Sequence, residues 1–203
     1  CFFTALTSKM APSNSQPLVV HRKVAVLGFR AVGKSSLSTQ FVQGTFGERY
    51  DPTIENTFHK TIRFRRVHFA TDIVDTAGMD EYSRLSRNAS VGVHGYVMVF
   101  AINNRQSFQK IRMINESLLN MLGDAPECPR ILCGSMCDLE GQRAVTKQEA
   151  ESLAEEWGVP YIECSSKTSE NTRDVFHLLL SEIEKDGDLL TKENENLSGC
   201  IIL

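Results

Sequence analysis

The sequence predicts an α/β protein built on a six-stranded, mostly parallel sheet flanked by helices on both faces. Three observations carry that prediction. Short apolar runs alternate with amphipathic helical stripes from Val19 to Lys185. One apolar run opens directly into Gly28-Phe29-Arg30-Ala31-Val32-Gly33-Lys34-Ser35, the pattern of a phosphate-binding loop. Further polar, chemistry-bearing segments fall at the carboxyl ends of later apolar runs. Strand–helix alternation buries a parallel sheet on both faces, and ligands of such sheets gather beyond the carboxyl ends of the strands.

The elements follow in order. Lys23-Val24-Ala25-Val26-Leu27 reads as a buried strand, and residues 34–43 as a helix with Leu37 and Phe41 on one face. Residues 57–64 and 67–74 read as two strands joined at Arg65-Arg66, a turn without the Asn-Gly signal. Residues 95–101 form a continuous apolar run, as for a strand covered on both faces. Phe108, Ile111, Asn115, Leu118 and Leu122 recur at helical spacing. Ile131-Leu132-Cys133-Gly134 is a short buried strand, and Ala150, Leu153, Ala154 and Trp157 stripe the next helix. Gly158 and Pro160 stop that helix. Tyr161-Ile162-Glu163 is the last strand, and Val175, Phe176, Leu179, Leu180 and Ile183 stripe the last helix.

The chain has 203 residues, 41% hydrophobic and 23% charged, with a formal net charge of −3. That is globular composition and fits one domain with tails. It lacks the basic excess of a dedicated nucleic-acid binder, and no run of 18 apolar residues offers a membrane span. The six cysteines (1, 128, 133, 137, 164 and 200) have no C-x-x-C spacing, so they read as reduced thiols and not as a zinc or disulfide framework. Residues 1–18 read as a disordered Pro/Ser-rich leader containing Met10, residues 19–186 as the folded domain, and residues 187–203 as a variable tail.

The phosphate loop matches G-x-x-x-x-G-K-[ST] in its confirming context, after a strand and before a helix. Successive backbone N–H groups make an anion-binding concavity, and the helix that follows points its positive end at the phosphates. Lys34 adds a charge at the β- and γ-phosphates, and the Ser35 hydroxyl is a Mg²⁺ ligand. Asp75-Thr76-Ala77-Gly78 ends a strand, so Asp75 can hold Mg²⁺ and the Gly78 N–H can meet a γ-phosphate. Thr53, in a helix-free loop, can complete the metal shell when that phosphate is present. Asp138 follows an apolar strand, where its carboxylate can accept the N1 and N2 hydrogens of guanine, which adenine does not offer. Adenine-nucleotide chemistry, an ATPase or kinase, is the reading these last segments argue against.

This set resembles the Ras superfamily of small GTPases, and within it the Rheb-like branch. The resemblance rests on Arg30 in the loop, on Tyr50-Asp51-Pro52-Thr53-Ile54-Glu55-Asn56-Thr57-Phe58, and on Asp80-Glu81-Tyr82-Ser83. Gly92-Val93-His94-Gly95-Tyr96-Val97 and Leu153-Ala154-Glu155-Glu156-Trp157-Gly158 add to it. It implies a Ras-like P-loop G domain, a GTP/GDP switch with Mg²⁺, and signalling to the TOR kinase complex. By it, Arg30, Ala31, Val32, Gly33, Lys34, Ser35 and Ser36 surround the phosphates. Phe46 packs on the guanine, Gly47 and Glu48 lie by the ribose, and Ser135, Asp138, Ser166 and Lys167 hold the base. Lys34, Tyr50, Thr53 and Gly78 serve hydrolysis, Ser35, Thr53 and Asp75 serve the metal, and Tyr50–Thr57 forms the effector segment, whose order depends on the γ-phosphate.

Two departures stand out. Met79 occupies the position where the family carries a water-orienting Gln, and a thioether is at best a weak acceptor. The family's Asn-Lys-x-Asp segment reads Ser135-Met136-Cys137-Asp138. Slow hydrolysis and looser nucleotide retention are the expectations, and a non-hydrolysing GTP-binding module acting through partners is the alternative. The chain ends in Cys200-Ile201-Ile202-Leu203, a prenylation box whose terminal Leu favours geranylgeranyl. The preceding acidic stretch supplies no polybasic patch, so the expectation is weak attachment to the cytoplasmic face of endomembranes or the plasma membrane, with a cytosolic fraction. A prenyltransferase, a GTPase-activating protein and an exchange factor are the expected partners, and nucleic acid is not.

Overall fold

The structure, a computed structural model, describes residues 18–47, 53–65, 67–79, 86–123 and 128–185. The expectations for the leader, Glu48, Tyr50, Asp51, Pro52, residues 80–83, the acidic tail and Cys200 lie outside them.

Among the described residues six strands form one sheet: β1 (Val19–Gly28), β2 (Glu55–Phe64), β3 (Val67–Thr76), β4 (Gly95–Ala101), β5 (Arg130–Ser135) and β6 (Tyr161–Glu163). The helices are α1 (Lys34–Gln43), α2 (Arg105–Leu122), α3 (Lys147–Trp157) and α4 (Thr172–Ile183), with a 3₁₀ turn at Cys137–Gln142. The strand order is β2-β3-β1-β4-β5-β6. Among the described residues, the β2–β3 pair is antiparallel and the other strand pairs are parallel. That is the predicted α/β architecture.

The strands run longer than their apolar runs. β1 starts at Val19, four residues before the predicted start at Lys23, because its polar first half pairs with β3 from Val19↔His68 onward. An apolar run marks only the part of a strand covered on both faces, whereas backbone pairing continues past it. For the same reason β2 begins at Glu55 and β3 ends at Thr76, residues that pair with each other.

Two apolar layers sandwich the sheet. On one side α1 and α4 bring Leu37, Phe41, Val175, Phe176 and Leu179 onto Val24, Val26 and Ile73, with the Phe41 and Phe176 rings stacked 4.1 Å apart. On the other, α2 and α3 bring Phe108, Ile111, Leu118, Ala150 and Leu153 onto Tyr96, Met98 and Phe100. Each Leu, Ile, Val, Met or Phe among them contributes about 1.5–3 kcal/mol on burial, so these stripes set which way the helices face. Trp157 joins the second layer, as its place in the stripe predicts. The α3 boundaries follow local rules: Thr146 and Glu149 form a reciprocal capping box, and Gly158 closes the other end with φ 64°. Buried Cys133 and Cys164 are free thiols whose Sγ atoms lie 3.4 Å apart.

Candidate guanine-nucleotide site

β1, β3 and β5 all end at one edge of the sheet, and the loops beyond them wall a cavity of about 490 Å³. The phosphate loop forms its floor. A Cβ at Gly28 would stand 2.2 Å from the Val99 carbonyl oxygen, so only glycine lets β1 turn into the loop this close to β4. The loop feeds α1, whose first turn contains no acidic residue. The positive end of that helix is therefore left for an anion.

Lys34 is buried, and its Nζ donates to the carbonyls of Gly28 (3.1 Å) and Phe29 (2.9 Å). Loss of water lowers its pKa to about 8, although the Asp75 carboxylate pulls the other way. It is a cation held across the loop with few water contacts, which sharpens its pull on an incoming phosphate.

Ser35 Oγ and Thr53 Oγ1 lie 2.8 Å apart, so the loop expected to complete a metal shell meets the phosphate loop. Asp75 sits beneath them at 1% exposure. Burial raises its pKa, opposed by a hydrogen bond from Ser35 and by the charge of Lys34. Its Oδ1 has no hydrogen-bond partner. An unpartnered buried carboxylate oxygen beside two hydroxyls is an all-oxygen donor set of the kind Mg²⁺ takes, so these residues fit the expected ion. Thr76, one position on, donates its hydroxyl to Val26 O at 2.8 Å and lines the cavity.

The end of the cavity expected to hold the base is built from two loops. Asp138 lies in the first turn of the 3₁₀ segment and accepts a 2.6 Å hydrogen bond from Ser165 Oγ. The Cys137 N–H donates to Cys164 O (3.1 Å), so the loop after β5 is stitched to the loop after β6. Ser135 is 3% exposed, and its hydroxyl reaches Val32 O at 2.6 Å and Phe100 O at 3.0 Å, tying the base end of the cavity to the phosphate loop. Behind the loops, Arg143 clamps Glu163 with two hydrogen bonds and Glu140 with three.

Of the residues expected at the nucleotide, Ala31, Val32, Gly33, Lys34, Ser35, Ser36, Phe46, Gly47, Thr53, Gly78, Ser135, Asp138, Ser166 and Lys167 line this one cavity. Arg30 does not: its guanidinium lies 5.4 Å over the Phe29 ring. Thr76 and Leu139 line the cavity without having been expected. Nothing in a lone hydroxyl or a lone Leu announces such a role, and only position next to Asp75 and Asp138 does. Met79 is 4% exposed and packs in the layer beneath, with Leu27, Val74 and Tyr96. The described part of the expected effector segment leads into the edge strand β2. Ile54 is 91% exposed, and Glu55 accepts hydrogen bonds from Ser86 and from Asn88 at 2.9 Å.

A phosphate-loop motif, a corner of oxygen donors and the Asp138 carboxylate around one cavity fit a P-loop protein of the guanine-nucleotide-binding class. Residues 23–185 match the Ras family model, and the chain belongs to the Ras family. It is 45% identical over 193 residues to the GTP-binding protein rhb1 of Schizosaccharomyces pombe, covering 95% of this chain and all of that protein. It is 45% identical to the small monomeric GTPase RhbA of Aspergillus fumigatus, covering 90% of this chain and 96% of that one. It is 42% identical to the human GTP-binding protein Rheb, over 90% of this chain and 97% of that one. The Rheb-like resemblance read from the motifs holds across nearly the full domain.

Proposed function

We propose that this protein is a GTP/GDP switch of the Rheb type that hydrolyses GTP slowly, attaches to membranes through geranylgeranyl on Cys200, and signals to the TOR kinase pathway. GTPase activity follows from its membership of the family and from Rheb-type relatives that carry GTP binding or GTPase in their names. The observation that carries the reading is the single cavity joining Lys34, Ser35, Gly78 and Asp138.

Ser35, Thr53 and Asp75 would hold Mg²⁺, which supplies charge neutralisation at the phosphates during transfer. Lys34 adds its own positive charge, and the loop N–H groups orient the chain of phosphates. The Gly78 N–H is available to the γ-phosphate. At the position where the family carries the water-aiming Gln, this chain has Met79. Met79 carries no donor, and its side chain is buried in the core and does not line the cavity. That favours long-lived GTP and the need for an activating protein. The same burial gives weight to a second reading, a GTP-binding module that acts through partners without turning over.

Among the described residues no helix is long and apolar enough to cross a membrane, so the lipid on Cys200 is the proposed anchor. The effector segment Tyr50–Thr57 is the proposed contact for the TOR complex, with exposed Ile54 at its centre. Nucleotide extracted from the purified protein with and without Mg²⁺ tests the reading. GTP in excess of GDP is expected, GDP alone would mean rapid turnover, and ATP or no nucleotide would overturn the proposal.

A further inference from the structure

We propose that the pocket reads guanine along its N1/N2 edge and places no side-chain donor at N7. The inference rests on the guanine reading above and concerns how that base is recognised.

Phosphates over Gly28–Ser35 and a Watson–Crick edge on Asp138 fix the two ends of the base. With the O6 side turned to the loop at Ser166, the N7 edge faces the strand ends between these points. β5 ends there in Ser135 and is followed by Met136, and both line the cavity. Nitrogen N7 is purely an acceptor, so it rewards only a donor.

Neither residue offers one. A serine hydroxyl has a single proton. Ser135 spends it on the buried carbonyls of Val32 and Phe100, 2.6 and 3.0 Å away. Turning it to N7 would break the tie between the base end of the cavity and the phosphate loop. Met136 adopts a left-handed backbone with φ 62° and lays its Cε against Gly33, 3.8 Å from where a Cβ would stand. Its thioether donates nothing. Asp138, by contrast, keeps acceptor capacity. Ser165 uses one lone pair of Oδ1, whereas a carboxylate offers about four acceptor sites for hydrogens such as those on N1 and N2.

The recognised ligand class is therefore a purine nucleotide with N1–H and a 2-amino group, whatever stands at position 7. Competition by GDP, 7-deaza-GDP, IDP and ADP against a fluorescent guanine nucleotide, on the full-length wild-type protein, tests it. 7-Deaza-GDP is expected to compete within about threefold of GDP, less than one ordinary hydrogen bond is worth. IDP, which lacks the 2-amino group, is expected to be weaker by about tenfold. A larger loss for 7-deaza-GDP, or IDP equal to GDP, overturns the inference and leaves the guanine reading standing. ADP equal to GDP overturns the guanine reading itself.

Discussion

Replacing Arg143 by Met removes a guanidinium while keeping an apolar stem of similar reach. In the native fold its Nη1 and Nη2 donate to the two Glu163 oxygens at 2.9 and 2.8 Å, and the two side chains are only 17% and 16% exposed. Removing one partner of a fully buried pair costs about 3–5 kcal/mol. Partial exposure and the surviving 2.6 Å hydrogen bond from Tyr161 reduce that to roughly 2 kcal/mol. Glu140 is largely exposed and adds little. For a domain of this size the midpoint of thermal unfolding should fall by roughly 4–8 °C.

The sign of the pH dependence follows from Glu163. Burial pushes its pKa up, but hydrogen bonds from Arg143 and Tyr161 outweigh this and hold it below the ordinary 4.5. A depressed folded pKa gives stability that is present above 4.5 and lost as pH falls through the lower folded value. In Arg143→Met burial is left opposed only by the Tyr161 hydrogen bond and the charge of Lys147, so the gap between variant and wild type should narrow below pH 4.5. Glu163 directly precedes Cys164 and Ser165, which brace Cys137 and Asp138. GDP release should therefore quicken by about three- to tenfold, the share of one lost hydrogen bond. Thermal and acid titration of stability, with fluorescent-GDP dissociation, check both. A stability change under about 0.5 kcal/mol, the range of ordinary surface substitutions, with an unchanged release rate would refute the reasoning.

Three further outcomes are expected. Met79→Gln should lower stability by about 1–3 kcal/mol, because an amide enters an apolar layer, and single-turnover GTP hydrolysis should stay close to wild type. A large gain in rate with no loss of stability would show that this side chain reaches the cavity. Gly78→Ala should weaken GTP more than GDP by about tenfold or more in a competition assay, since the new Cβ would lie 2.5 Å from Arg30 Cα and force the γ-phosphate side of the site apart. Cys200→Ser should move the protein from the membrane fraction to the cytosol on cell fractionation, and an unchanged distribution would remove the lipid anchor from the proposal.

Much of the fold and the floor of the site was legible in the sequence because both are written locally. Alternating apolar runs and helical stripes depend on neighbours a few residues apart, and they delivered the sheet and the helices that cover it. The phosphate loop is eight consecutive residues whose backbone makes the site, so its spacing between a strand and a helix announces it. Strand ends were misjudged where pairing runs past the apolar stretch, as at Val19.

What stayed hidden depends on residues distant in the chain. Whether Met79 faces the nucleotide or the core is decided by the apolar layer it joins, with Leu27, Val74 and Tyr96, which assembles only when the sheet forms. The proton of Ser135 is claimed by Val32, 103 positions earlier. Arg143 reads as an ordinary surface cation until β6 brings Glu163 beside it. Sequence fixes which chemical groups exist and their order. Their hydrogen-bond partners, their access to water and hence their charge are settled by contacts that only the folded chain makes.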